Sequence, residues 1–291
     1  MSATHGASGP VFHGGEPSVW QAGRFRIDLV RPRVLGIVNV TPDSFSDGGR
    51  FADADAARRR CDELVAQGAD ILDIGGESTR PGAVAPGPDE ECARVLPVLR
   101  HAVTLGVPVS VDTSAPRVMQ AALEAGADIV NDVRSLRRPG ALEAVSAHPQ
   151  AGVCLMHMRG EPGGMDAQTD YADVVTEVRD WLVARLAVLE AAGIAAERVV
   201  LDPGIGFAKT REQDLELLRR QPELLAAGRP WLAGWSRKRS IGAVTGRAVG
   251  ERLVGSVAAA LLAVERGARI VRVHDVAETV DALRLWQAVS R

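Results

Sequence analysis

Short apolar runs bounded by turn residues alternate along the chain with longer stretches whose apolar positions recur every three to four residues. The first run, 34–39, ends on Asn39 and passes into a polar, turn-rich segment at 41–49. A helix is expected over 53–67, with Ala57, Cys61, Leu64 and Val65 on one face. The same alternation predicts strands at 71–75, 107–112, 129–131, 152–157, 199–202, 231–235 and 270–274. Between and after them, helices are expected at 89–105, 116–124, shortly after Pro139, and at 171–192, 213–225, 251–266 and 276–289. Ahead of this pattern, 19–29 reads as a β-hairpin turning at Ala22-Gly23. Residues 1–17 are rich in Gly, Ser and His, lack the basic start and apolar core of a signal peptide, and read as a flexible tail.

Eight strand-helix units within this length have the size and period of a (β/α)8 TIM barrel. The competitor is a doubly wound open sheet. No Gly-x-Gly-x-x-Gly follows the first strand, and polar residues end nearly every strand instead of gathering at one switch point. The expected fold is therefore an α/β TIM barrel with an N-terminal hairpin, a single domain over 18–291.

Composition narrows the function. A net charge of −3 gives no basic field for nucleic acid, and no apolar run is long enough for a membrane span, which leaves small molecules as the expected partners. Cys61, Cys92 and Cys154 lack metal-ligand spacing and suit buried thiols in a reducing cytoplasm. Two scarcities are more informative. Lys209 and Lys238 are the only lysines against 32 arginines, and Asn39 and Asn131 the only asparagines. A position that keeps either residue type is a candidate for needing its chemistry, although Lys209 sits in an Ala-Lys-Thr-Arg turn that reads as exposed.

In a barrel the carboxyl ends of the strands converge on one face. The residues there are Asn39, Asp73, Asp112, Asn131, His157, Asp202, Ser236 with Lys238, and Arg272 with His274. Alternation puts Ile270, Arg272 and His274 on one side of their strand, so a guanidinium and an imidazole point together. With Asn39 and hydroxyls from Thr41 or Thr79, they suit phosphate oxygens; the other reading is a salt-bridged rim arginine. Asp112 and Asp202 call for donors. With an Asn amide and the Lys238 ammonium they could read a flat heterocycle bearing N–H groups and ring acceptors, or they could pair among themselves as a structural ion network.

At these residues the chain resembles a known family. Asn39-Val-Thr-Pro-Asp-Ser-Phe-Ser-Asp-Gly-Gly and Asp73-Ile-Gly-Gly-Glu-Ser-Thr-Arg-Pro-Gly are similar to the two signature segments of the dihydropteroate synthases. Further matches are Ser110-Val-Asp-Thr, Asn131-Asp, Met156-His-Met, Leu201-Asp-Pro-Gly-Ile-Gly-Phe, Ser236-Arg-Lys and Arg272-Val-His-Asp-Val, so that the resemblance covers 34–291. It implies a transferase of folate biosynthesis that joins 4-aminobenzoate to 6-hydroxymethyl-7,8-dihydropterin diphosphate, releasing diphosphate with Mg2+ present. By resemblance, Asp112, Asn131, Met156, Asp202, Phe207, Gly234 and Lys238 would bind pterin. Asn39, Thr79, Arg272 and His274 would hold diphosphate, Asn39 with the metal. Phe45, Thr79, Arg80, Pro81, Ser236 and Lys238 would surround aminobenzoate, and Asp47, Asp112 and Lys238 would be catalytic. The segments 41–49 and 78–82 would be mobile loops, and the family's habit is a homodimer. Arg239 and Trp235 depart from the usual pattern, where smaller residues are common. Alternative readings are a non-catalytic pterin-binding paralogue and a methyltetrahydrofolate-dependent methyltransferase, which shares a pterin-binding barrel.

Overall fold

The computed structural model describes residues 18–40, 49–77 and 85–290. Strands β1 (Val19–Ala22) and β2 (Phe25–Asp28) form the antiparallel hairpin. Eight further strands run parallel: β3 (Arg33–Asn39), β4 (Ile71–Gly75), β5 (Val109–Asp112), β6 (Ile129–Asp132), β7 (Gly152–Met156), β8 (Val199–Asp202), β9 (Leu232–Ala233) and β10 (Ile270–Val273). Their order is β8-β7-β6-β5-β4-β3-β10-β9, and a parallel bridge between Leu201 and Trp231 joins the two ends. The sheet is thus a barrel, and the open doubly wound alternative falls.

Helices α1 (Gly49–Ala66), α2 (Pro88–Ala102), α3 (Pro116–Glu124), α4 (Ala141–Ser146) and α5 (Val174–Ala191) cover the first five barrel strands. The remainder is enclosed by α6 (Arg211–Arg219), α7 (Gln221–Leu224), α8 (Arg239–Thr245), α9 (Leu253–Glu265) and α10 (Val276–Val289). Three elements differ from the sequence reading. Helix α1 begins at Gly49, inside the segment expected to be loop. Strand β9 is only two residues long, because the chain from Gly234 to Lys238 leaves the sheet to line a cavity. Helix α8, unforeseen, follows at once and begins beside Lys238.

The period-2 pattern of the strands separates two cores. Outward-facing Val34, Val38, Leu72, Ile74, Val109, Val111, Val153 and Leu201 pack under the helices. Inward-facing Leu35, Ile71, Ile129, Cys154, Val200, Leu232 and Ile270 fill the barrel and meet Trp20, Ala22, Ile27 and Leu29 of the hairpin segment. The hairpin closes the amino-terminal end of the barrel, fixed by Trp20 Nε1 donating to Arg198 O at 2.8 Å and by the Arg24–Asp128 ion pair. One layer further along, most strands turn a polar side chain inward, and the site begins there.

Candidate active site

Above the apolar plug, the next inward positions are Asp73 on β4, Asp112 on β5, Asn131 on β6, Met156 on β7, Asp202 on β8 and Arg272 on β10. They open into a cavity of about 690 Å³, a size suited to a small-molecule ligand. Every described residue given a binding or catalytic role by resemblance lines this cavity: Asn39, Asp112, Asn131, Met156, Asp202, Phe207, Gly234, Ser236, Lys238, Arg272 and His274. Phe45, Asp47, Thr79, Arg80 and Pro81 lie outside the described residues.

Arg272 is the centre of the charge arrangement. Its Nε donates to Asp73 Oδ2 at 2.7 Å and its Nη2 to Asp112 Oδ2 at 2.6 Å. Asn131 Nδ2 donates to the same Asp73 oxygen at 3.1 Å. Asp73 itself is fully buried beneath the cavity and does not line it, so it holds Arg272 and Asn131 in place instead of facing a ligand. Burial pushes the Asp112 carboxyl up to about 7, with the Arg272 guanidinium pulling the other way. Burial also raises Asp202, opposed by the Gly204 N–H that donates to its Oδ1 at 2.7 Å.

Lys238 follows a left-handed Arg237 (φ 59°), a turn that swings the lysine into the cavity. Its Nζ lies 4.1 Å from the centroid of the Phe207 ring. Burial lowers this ammonium to about 8, against the attraction of Asp202 and Asp214. His274 N–H donates to Ser236 Oγ at 3.1 Å, and the same hydroxyl lies 2.9 Å from Nδ1. Burial, then the Arg237 and Arg272 charges, lower His274 to about 3, so it is a neutral donor at physiological pH. On the apolar side, Val133, Met156, Met158, Met165 and Ala208 cluster with Phe207, giving one hydrophobic wall beside the polar groups. Gly234 occupies an inward position of the β9 strand line, where a Cβ would stand 3.8 Å from Asp202 Oδ2 and intrude on the space between them.

Two sequence expectations are corrected. His157, counted among the converging strand ends, points out of the barrel, because Met156 before it points in. It is buried edge-on against Trp181, and burial with the Lys209 charge drives it down to about 2. Lys209 is not in an exposed turn: it is 4% exposed, with Nζ 3.1 Å from His157 Nδ1. The sequence reading missed Glu77, Met165, Ile205 and Arg252, which line the cavity from loops and carry no periodic signal. It also missed Asp214, whose Oδ1 accepts from Gly206 N at 2.7 Å and whose Oδ2 accepts from Ser240 Oγ, tying the loop after β8 to α8.

The profile of the pterin binding enzymes matches residues 35–274. The dihydropteroate synthase of Neisseria meningitidis serogroup B is 52% identical over 277 residues, spanning 93% of this chain and 97% of that protein. The chain belongs to the dihydropteroate synthase family. The synthase of Escherichia coli K12 is 47% identical over 263 residues, 90% of this chain and 93% of its own. Among solved family members, the Xanthomonas albilineans dihydropteroate synthase with 4-aminobenzoic acid superposes with a TM-score of 0.88 at 52% identity, covering 94% of this chain and 98% of that one. The Burkholderia cenocepacia dihydropteroate synthase complexed with 7,8-dihydropteroate gives 0.86 at 51% identity, covering 94% and 96%. The cavity of this chain therefore lies in a dihydropteroate synthase fold, and the described residues assigned to ligands by resemblance all line it.

Proposed function

We propose that the chain condenses 6-hydroxymethyl-7,8-dihydropterin diphosphate with 4-aminobenzoate, giving 7,8-dihydropteroate and diphosphate. The observation that carries this reading is the union, in one cavity, of a flat slot and a cationic mouth. The slot has an apolar wall that includes Met156 and Phe207, and an edge of Asp112, Asn131, Asp202 and Lys238. These groups match a fused heterocycle whose N–H groups need carboxylates and whose ring acceptors need an amide and an ammonium. Arg272 and the neutral imidazole of His274 meet the leaving diphosphate.

The step breaks the C–O bond between the pterin methylene and diphosphate, and the aminobenzoate nitrogen then bonds to that carbon and gives up a proton. Asp112 and Asp202 favour the positive charge that develops on the pterin, while Arg272 and His274 take the negative charge that departs. The described residues lining the cavity hold the pterin side; the aminobenzoate roles of Phe45, Thr79, Arg80 and Pro81, and the catalytic role of Asp47, remain part of the proposal from resemblance, with Ser236 and Lys238 as their described partners.

Mg2+ fits the residues present. Its shell consists largely of water and substrate phosphate oxygens, so a lone hard donor suffices. The Asn39 side-chain oxygen, at the end of the strand paired with that of Arg272, is such a donor. Asn39 would hold the ion, which would neutralise charge on the diphosphate. We further propose a cytoplasmic homodimer. Support comes from the large apolar side chains exposed on α8 to α10, Val244, Val254, Leu285 and Val289 among them, and from three free cysteines. No described helix is long and apolar enough to cross a membrane.

The test is diphosphate release that depends on aminobenzoate and Mg2+, with dihydropteroate identified by mass. Pterin binding without turnover would make the chain a binding paralogue, and methyl transfer from methyltetrahydrofolate would make it a methyltransferase.

Two predictions follow from the charges in the slot. The pH profile of kcat/KM is expected to peak between about 7 and about 8. Activity falls below the window as Asp112 takes a proton and above it as Lys238 loses one. The acid limb should be lost in Asp112→Asn; a flat profile through this range contradicts the assignment. Lys238→Arg should cut kcat/KM by about tenfold or more although it conserves charge. The ammonium stands over Phe207 as a compact point donor, and a wider planar fork would not place a donor at the same spot. Near-normal kinetics would refute this.

A further inference from the structure

The second lysine lies outside the cavity, buried behind it. Lys209 Nζ is surrounded by acceptors from two loops: from the β8–α6 loop, Phe207 O at 2.9 Å and Gly204 O at 3.1 Å; from the end of β7, His157 Nδ1 at 3.1 Å and His157 O at 3.4 Å. Its charge is not neutralised by direct contact with a carboxylate among the described residues; Asp214 and Asp202 attract it from further off, and Lys238 and Arg159 repel it. A buried ammonium spent on neutral acceptors is costly unless the geometry it enforces is useful.

That geometry is specific. Phe207 O belongs to a residue of the apolar wall that lines the cavity, and His157 directly follows Met156, which belongs to the same wall. The two loops approach so closely behind Lys209 that a Cβ on Gly204 would overlap His157 O. An ammonium offers three donors from one atom and can reach acceptors on different sides at short range, whereas a guanidinium is a planar fork that needs more room. This accounts for a lysine here in a chain that otherwise uses arginine almost throughout.

We propose that Lys209 is a positioning residue that ties the end of β7 to the β8–α6 loop and thereby sets where Met156 and Phe207 stand in the apolar wall of the pterin slot. The proposal rests on the pterin reading of the cavity. It predicts a selective defect, since Lys209 touches the loops that bear the apolar wall and not the Ser236–His274 side.

The experiment measures steady-state kinetics for both substrates, 6-hydroxymethylpterin binding by calorimetry, and urea midpoints, on the wild-type chain and on Lys209→Met, Lys209→Arg and His157→Leu. In both Lys209 variants, pterin affinity should weaken by about tenfold or more, as expected when a binding wall is displaced, and Arg should fail to rescue. The aminobenzoate KM and the kcat at saturating pterin should stay within about threefold. His157→Leu removes one of the four contacts and should shift pterin affinity in the same direction by less. Unchanged pterin affinity in folded variants, full rescue by Arg, or an equal loss for both substrates overturns the proposal, as does a failure of all three variants to fold. If the wild-type chain does not bind the pterin, the functional reading falls as well; if it does and the variants bind equally, the tie alone falls.

Discussion

Arg272→Met is expected to abolish most activity and to destabilise the fold in a pH-dependent way. The guanidinium satisfies Asp73 and Asp112 together, and methionine keeps the length of the side chain while removing every donor. Deleting one partner of a buried ion pair costs roughly 3–5 kcal/mol, because the remaining charges are left uncompensated. Arg272 and Asp112 are 22% and 20% exposed toward the cavity, which puts the expected value at the lower end. Asp112, already pushed up to about 7 by burial, loses the charge that holds it down. A carboxyl whose folded-state value is raised contributes stability at low pH that is lost as pH rises; wild type stops losing it at about 7, where Arg272 lets Asp112 ionise, and the variant goes on losing it, so the deficit of the variant should grow between about pH 7 and about pH 9. Urea unfolding at the two pH values checks this, and a small, pH-independent loss would remove Arg272 from its place as the hub of the site. Activity should fall by about 10²–10³-fold, since the group that meets the departing negative charge is gone.

Gly204→Ala is expected to be among the most damaging single-methyl additions in the chain. Gly204 has φ +70°, where an ordinary residue costs about 1–2 kcal/mol. Strain is the smaller part. The added Cβ would overlap the carbonyl oxygen of His157, a backbone atom that cannot swing aside. The loop would have to shift, which breaks the Gly204 N–H bond to Asp202 and the Lys209 bond to Gly204 O. A total above about 3 kcal/mol is expected, with pterin affinity lost alongside. Gly193→Ala is the control: its φ is +82°, but nothing lies within 4 Å of the added Cβ, so it should cost only about 1 kcal/mol and leave kinetics intact. Equal effects in the two variants would mean that backbone strain, not the approach of the two loops, decides the outcome.

The sequence by itself determined the barrel, its strands and the polar groups that the strand ends bring to the cavity. Alternation along β10 put Arg272 and His274 on the inner face, and strand ends at Asn39, Asp112, Asn131 and Asp202 delivered polar groups to one mouth. These are short-range facts: a strand repeats every two residues, and a parallel barrel sends all carboxyl ends the same way. The same alternation, applied to β7, would have turned His157 outward once Met156 was assigned inward.

Only the tertiary structure decided which polar groups face a ligand and which serve others. Asp73 and Asp112 are similar strand residues in the sequence, yet the strand register pairs Asp112 with Gly75, two residues beyond Asp73, and this leaves Asp73 one layer deeper as the anchor of Arg272 and Asn131. Lys209 read as exposed because its neighbours are small and polar; two loops distant in sequence bury it. The walls supplied by Met165 and Ile205 were hidden for the same reason, since a loop residue carries no period and its surroundings exist only after the strands have closed.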